Sequence, residues 1–364
     1  VLPPVVTGSS KVRTKLFLLL FLFSFPLNAF EKILLHFDQL EAFVVRETLG
    51  EKSEWLTLTP FSSDAYPAPG QAVPLLADTA NVEVAVNANF YREDQPGFLK
   101  PIGLVVKNGE ILSEPHPNWP SAGWSKKGWI WDQVSIQATF ELIDSRGTVL
   151  KTKLCRLNAP ASFGCASLWT RGTEAKKWRS KQKGKIVVDA KGNGLSIGTT
   201  EFVPVTESQK PWILEFPNNV SFKVLQRVKR VRVSVKLNGT RHGEEWNTIT
   251  EAISGSHVFA EEGIFPPEKF NRPWAAEKQP RTLIGLDSSQ RFFVAVFDGR
   301  RIDSEGVSVR TAWEHLKAKL DAKWVLNLDG GGSSALVFKK QLLNKPSNGI
   351  PRAIAVGIGA KSTL

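Results

Sequence analysis

Methionine is absent from the 364 residues, cysteine and tyrosine occur twice each, and no apolar run is long enough to cross a bilayer. With Val1 in first place, the missing methionine points to an unusual or mis-set start. Cys155 and Cys165 leave two options, one bridge across a short loop or two buried thiols. Neither is required, because a chain of this length buries enough apolar surface without staples. The five histidines (His36, His116, His242, His257, His315) show no ligand spacing with either cysteine or with each other, which argues against a zinc site or a Cys–His pair. There is no tandem repeat and no long low-complexity linker. No Gly-Lys-Ser/Thr follows the glycine-rich stretch, so a nucleotide triphosphate loop is excluded, and no Gly-x-Ser-x-Gly elbow surrounds Ser333 or Ser334.

Acids are also absent from the first 29 residues, which carry Lys11, Arg13 and Lys15 directly before the apolar run 16–25. A basic cluster, a short apolar block and a break at Pro26 read as a secretory signal peptide over residues 1–29. The block is shorter than the roughly 20 residues of a spanning helix. The expected product is exported, periplasmic or extracellular, with no stable membrane insertion after leader removal. Lys and Arg number 47 against 35 Asp and Glu, a net of +12 that falls to +9 without the leader. The excess favours anionic partners. Seven basic residues between Arg171 and Lys185, against the single acid Glu174, mark an exposed basic loop.

Short runs of Val, Ile, Phe and Trp separated by Gly, Pro and Asn predict a mostly stranded α+β protein, mainly antiparallel or mixed sheet with a few helices. Asn108-Gly109 between two apolar runs predicts a type I′ hairpin. A second hairpin joins Thr282–Asp287 to Arg291–Phe297, and Val231, Val233, Val235 and Leu237 alternate with polar residues as a half-buried strand does. Ser308 caps a helix over Val309–Leu320 whose apolar stripe contains Ala312, Trp313 and Leu316. A strand follows at Trp324–Leu328, others are expected at Val82–Val86 and Ala353–Ile358, and residues 30–80 are expected to form strands packed on the main body. Twelve tryptophans are mostly core material. Trp119, Trp124 and Trp129, set among Pro, Ser, Gly and Lys, are the ones expected to line a cleft.

The stretch Asn327-Leu328-Asp329-Gly330-Gly331-Gly332-Ser333 ends a strand, so Asn327 and Asp329 share one face while Leu328 points to the core. Three glycines let backbone N–H groups approach an oxyanion or a phosphate oxygen. Asp298-Gly299-Arg300 closes another strand, Asn87-Ala88-Asn89-Phe90-Tyr91 a third, and Arg281 and Arg352 flank apolar runs. Such polar strand ends are how sites are assembled on rigid sheets.

These motifs, in this order and together with Gly103, Gly285 and Gly306, resemble the phosphodiester glycosidase domain family over roughly residues 81 to 361. The family usually shows Asn-Gly-Gly-Phe-Phe where this chain has Asn87-Ala88-Asn89-Phe90-Tyr91. The resemblance implies hydrolysis of the glycosidic bond of a sugar-1-phosphodiester, releasing free sugar and a phosphomonoester from a phosphorylated glycan. It implies catalysis by Asp329, with Asp298 as second acid/base candidate. Arg281, Arg300 and Arg352 would hold phosphate, Asn87, Asn89 and Asn327 would orient hydroxyls, and Gly330, Gly331, Gly332 and Ser333 would cradle an oxygen. No cofactor is implied; a divalent metal at Asp329 and Asn327 stays open. The rival reading is a non-catalytic exported module that binds anionic polysaccharide through its basic surface. A nucleic-acid partner is not expected, since the leader opposes it and no recognition motif occurs.

Overall fold

The computed structural model describes residues 29–38, 40–60, 68–157, 165–169, 185–189, 195–204, 211–216, 222–256, 259–262, 264 and 273–363. The leader except Ala29 and all of the basic loop except Lys185 lie outside the described residues. The fold is α+β, with antiparallel sheets and one parallel strand pairing.

Two sheets carry the site. The first has six strands in the order Phe30–Phe37, Leu40–Glu47, Phe292–Phe297, Arg281–Asp287, Ala322–Asn327 and Phe259–Ala260. The second has five, in the order Gln341–Leu342, Leu336–Phe338, Val84–Asn87, Gly357–Ser362 and Ser53–Leu58. Every residue of Arg281–Asp287 and Phe292–Phe297 is buried, and Leu283–Leu286 and Phe292–Phe297 read as apolar runs covered on both faces. Ile284, Val294, Val296 and Leu326 face Val84, Val86 and Ile358 of the second sheet. Their neighbours Leu283, Phe293, Ala295 and Phe297 face Ala312, Trp313, Leu316 and Leu320 of the helix Val309–Leu320. That helix has the predicted limits, because the Ser308 hydroxyl accepts from the Thr311 N–H and Asp321 ends it in left-handed geometry.

A second helix, Val73–Ala80, covers the outer face of the five-stranded sheet through Val73, Leu76 and Ala77. It lies in the segment expected to be all strand. Pro74 near its start needs no N–H partner there, and Asn81 stops it at φ 49°. The inner body is thus layered helix, sheet, sheet, helix. An eleven-stranded sheet centred on Gly128–Asp144 and Arg230–Gly239 builds its own core, with Val231, Val233, Val235 and Leu237 buried as their alternation predicts. The Asn108-Gly109 turn takes φ 52° and 76°, the positive pair of a type I′ hairpin. Cys165 is buried and disulfide-bonded, which selects the bridge over free thiols.

Candidate active site

Strand Ala322–Asn327 ends where the two central sheets meet. Leu328 N–H still donates to the Thr282 carbonyl of its own sheet, and the next amide, Asp329, donates to Ala88 at the end of a strand in the other. The chain then turns through Gly330, whose neighbour Gly331 has φ 60°, and the Gly331 N–H donates to Pro280. A single tight turn, Gly331–Ser333, follows.

The glycines are there for what rests on them. A Cβ on Gly331 would stand 3.0 Å from the Arg300 guanidinium, and one on Gly332 would stand 2.7 Å from that of Arg352. Two cationic planes therefore lie against the turn. Arg300 is itself in left-handed geometry at φ 59°, and its Nε donates to Gln279. Arg352 is exposed and makes no hydrogen bond or ion pair among the described residues.

Asp329 is half-buried at the start of this turn. One carboxylate oxygen accepts from the Gly330 N–H at 3.0 Å, and the Ser333 side chain also hydrogen-bonds the carboxyl. Burial pushes its pKa up to about 6, against the opposing pull of Ser333, Gly330 and the charge of Arg352. On the same face, Asn327 donates from Nδ2 to Ser256 Oγ at 3.2 Å, while its buried Oδ1 has no partner.

The other sequence-predicted residues are brought close but are occupied. The Asn87 amide donates to the Asp329 carbonyl at 2.6 Å and accepts from Thr282 Oγ1 and the Ala335 N–H. Asn89 donates to the Ile102 and Leu104 carbonyls and accepts from the Ser254 N–H. Both are sealed from solvent, so the expectation that they orient substrate hydroxyls is corrected: their amides hold backbone. Arg281 donates to the carbonyls of Val307, Trp274 and Glu277. Burial lowers its pKa to about 10, with Glu277 opposing and Arg300 adding to the drop. A guanidinium buried on three carbonyls is a brace, not the expected phosphate ligand. The Asp298 carboxylate accepts from the Lys345 N–H and Asn344 Nδ2, and burial raises its pKa against those two bonds. Asn344 also donates to the Ser334 carbonyl, so Asp298 steadies the glycine turn through Asn344 rather than as second acid/base.

Several neighbours escaped sequence reading. Ser256 holds both the Asn327 side chain and, through its N–H, the Asn327 carbonyl. The small residues Ser254-Gly255-Ser256 closing an apolar strand were the available signal; Asn344 had none. Gly255 N–H donates to Pro120, which brings Trp119 beside this strand end. Trp119 meets Phe90 edge-on, ring centroids 5.3 Å apart, and His116 at 4.7 Å. His116 Nδ1 accepts from the Asn118 N–H, leaving its proton on Nε2, and burial lowers its pKa. Of the tryptophans expected in a cleft, Trp119 is at this end, whereas Trp124 and Trp129 lie elsewhere on the molecule. Among the described residues, no group of three or more His, Cys, Asp or Glu could hold a metal.

An acid with a raised pKa, two guanidinium groups on a glycine turn and an aromatic flank suit an anionic sugar derivative. The chain is similar to the phosphodiester glycosidases. The profile of that family matches residues 183–361, which includes the glycine turn and both arginines but begins after Asn87–Tyr91. The fold is shared with a Synechocystis protein of undefined function at TM-score 0.65 and 16% identity, over 91% of this chain. This chain spans 61% of that protein's length. A Burkholderia pseudomallei protein classed as exported matches at TM-score 0.64 and 15% identity, over 88% of this chain and 74% of its own. The catalytic domain of zebrafish N-acetylglucosamine-1-phosphodiester alpha-N-acetylglucosaminidase, auto-inhibited by its pro-peptide, aligns at TM-score 0.46 and 15% identity, over 92% and 82%. A search of curated proteins finds no match. Among the described residues no helix is long and apolar enough to cross a membrane.

Proposed function

We propose that this protein is an exported hydrolase that cleaves the bond between the anomeric carbon of a sugar and a phosphodiester, releasing free sugar and a phosphomonoester. The observation that carries the reading is the placing of Asp329 and two guanidinium groups at one glycine turn. A phosphate leaves without much protonation, so the demand falls on the positive charge that develops at the sugar ring. A carboxylate beside that ring meets it, and Asp329 is the carboxylate free to do so. Arg300 and Arg352 take the phosphate oxygens through planar, bidentate contacts. Water adds to the anomeric carbon as the carbon–oxygen bond to phosphate breaks, and its proton passes to Asp329 or to the departing phosphate. Asn327, as deeply buried as Asn87 and Asn89, holds Ser256 and acts as a positioning residue, and Phe90 with Trp119 offers the apolar wall on which a pyranose face packs. Asn87, Asn89, Arg281 and Asp298 act as positioning residues. The leader-like residues 1–29 support export.

The test is hydrolysis of a panel of sugar-1-phosphodiesters in heavy-oxygen water, reading free sugar and phosphomonoester together. Wild type should yield both, with the phosphomonoester unlabelled, and Asp329→Asn should lose at least ~100-fold in kcat with its fold retained. Label in the phosphate would mean attack at phosphorus and would overturn the reading. Inactivity across the whole panel would favour the binding module instead.

A further inference from the structure

Two aliphatic side chains stand in water beside the arginines of the candidate active site. Among the described residues, the most exposed large apolar side chains are Ile302, fully exposed, and Ile350 at 73%, ahead of Leu49 at 70% and Ile264 at 68%. One such residue alone would explain nothing. These two, however, are each two positions from Arg300 or Arg352, the guanidinium groups that rest on Gly331 and Gly332. Two residues of chain reach about 7 Å at most, so each isoleucine is rooted beside its arginine.

Local structure holds both in place. Arg301 and Ser304 exchange backbone hydrogen bonds of 2.9 and 3.2 Å, which closes a tight turn with Ile302 and Asp303 at its tip. Turn tips favour Gly, Asn, Asp and Ser, which serve the bend; a β-branched hydrocarbon does not. Ile350 follows a second turn, in which the Gly349 N–H donates to the Pro346 carbonyl, and Pro351 restricts the backbone between it and Arg352. The two loops are tied to each other. Asp298 accepts from the Lys345 N–H at 3.0 Å on its carboxylate and from the Ser304 hydroxyl on its carbonyl, and Lys345 Nζ lies 3.4 Å from the Asp303 carboxylate. Asp303 also pairs with Arg301, and Glu305 pairs with Lys278 at 2.7 Å. Arg300 commits its Nε to the neutral Gln279, while its other two guanidinium nitrogens lie against Gly331.

The inference rests on the hydrolytic reading above, in which the sugar lies by Asp329 and the phosphate on Arg300 and Arg352. The second ester oxygen of that phosphate carries the aglycone, and the side chains rooted next to both arginines are hydrocarbon. An aliphatic aglycone gains by covering them, whereas a hydrophilic one does not.

We infer that the aglycone is aliphatic: the substrate is a sugar 1-phosphate esterified to a long-chain alcohol, and Ile302 with Ile350 forms the aglycone subsite. The anomeric carbon–oxygen bond breaks, water gives its hydroxyl to the sugar and its proton to the phosphate, and the products are free sugar and an alkyl phosphate.

The test begins with that second product. Octyl phosphate, at submicellar concentration, and ethyl phosphate are titrated calorimetrically into the full chain. Wild type should bind octyl phosphate at least tenfold more tightly than ethyl phosphate. Ile302→Ser/Ile350→Ser should narrow that preference to less than threefold, and since both side chains are exposed the variant folds. Arg352→Gln should weaken both phosphates alike, and Leu49→Ser, at a leucine about as exposed as Ile350, should change neither. In turnover, octyl esters of the sugar 1-phosphates should exceed ethyl esters at least tenfold in kcat/KM. The inference is overturned if the two phosphates bind equally, if the double variant binds like wild type, or if Leu49→Ser abolishes the preference. Equal hydrolysis of octyl and ethyl esters would also overturn it and leave the catalytic reading intact. Hydrolysis of neither, with the octyl preference kept, would overturn the catalytic reading and leave the aliphatic subsite.

Discussion

Asp329 is where acidity and stability meet. It acts as a carboxylate in the proposed reaction, so kcat/KM should climb with pH and level off above an apparent pKa near 6, the value to which burial raises it. A pH–rate profile whose acidic limb sits near 4 would contradict that. The same shift makes the folded state hold this proton more tightly than the unfolded chain. Its stabilising contribution is complete below about 4 and is lost as pH rises through about 6. Asp329→Asn escapes the loss, and should melt ~2–4 °C above wild type at pH 7.5 but not at pH 4, read by circular dichroism. At Gly332 the constraint is space. Its alanine variant pushes an added methyl against the Arg352 guanidinium, 2.7 Å from the Cβ position, and an exposed arginine gives way. KM for a phosphodiester should rise about tenfold with kcat little changed, the pattern of lost ground-state binding.

At the scale of elements, the strand ends matter more than the strands. Asn87 joins the glycine turn, the strand Arg281–Asp287 and the strand Leu336–Phe338 through its bonds to Asp329, Thr282 and the Ala335 N–H. Asn87→Ala leaves those buried groups unmatched and should cost about 2–4 kcal/mol in urea unfolding. Elements with strong local signals were legible in the sequence: the capped helix Val309–Leu320, the Asn108-Gly109 hairpin and the alternating strand Arg230–Gly239. The helix Val73–Ala80 was not, because eight residues with Pro74 among them read as punctuation rather than as a periodic stripe. The run expected as one strand at Ala353–Ile358 is split: Ala353–Ile354 pairs with Gln71–Ala72, and Gly357–Ser362 joins the second sheet. Asp329, Arg300, Arg352 and the glycines could be named as candidates because family motifs preserve their order, and the structure gathers them at one turn. The occupations of Asn87, Asn89, Arg281 and Asp298 were hidden, since a side chain's partner two hundred positions away leaves no local trace.

Across the whole molecule, the seam between the two central sheets is where the glycine turn sits. The amide of Asp329 donates to Ala88 and its carbonyl accepts from Asn87, so this residue is stitched on both sides to a sheet other than the one it leaves. Those stitches can open only when the two layers part, and parting them exposes the shared apolar filling. The protein therefore has no way to go slack at its business end while the body survives. Activity lost on gradual warming should follow ellipticity along one sigmoid, and a dead but well-folded species should not accumulate beforehand.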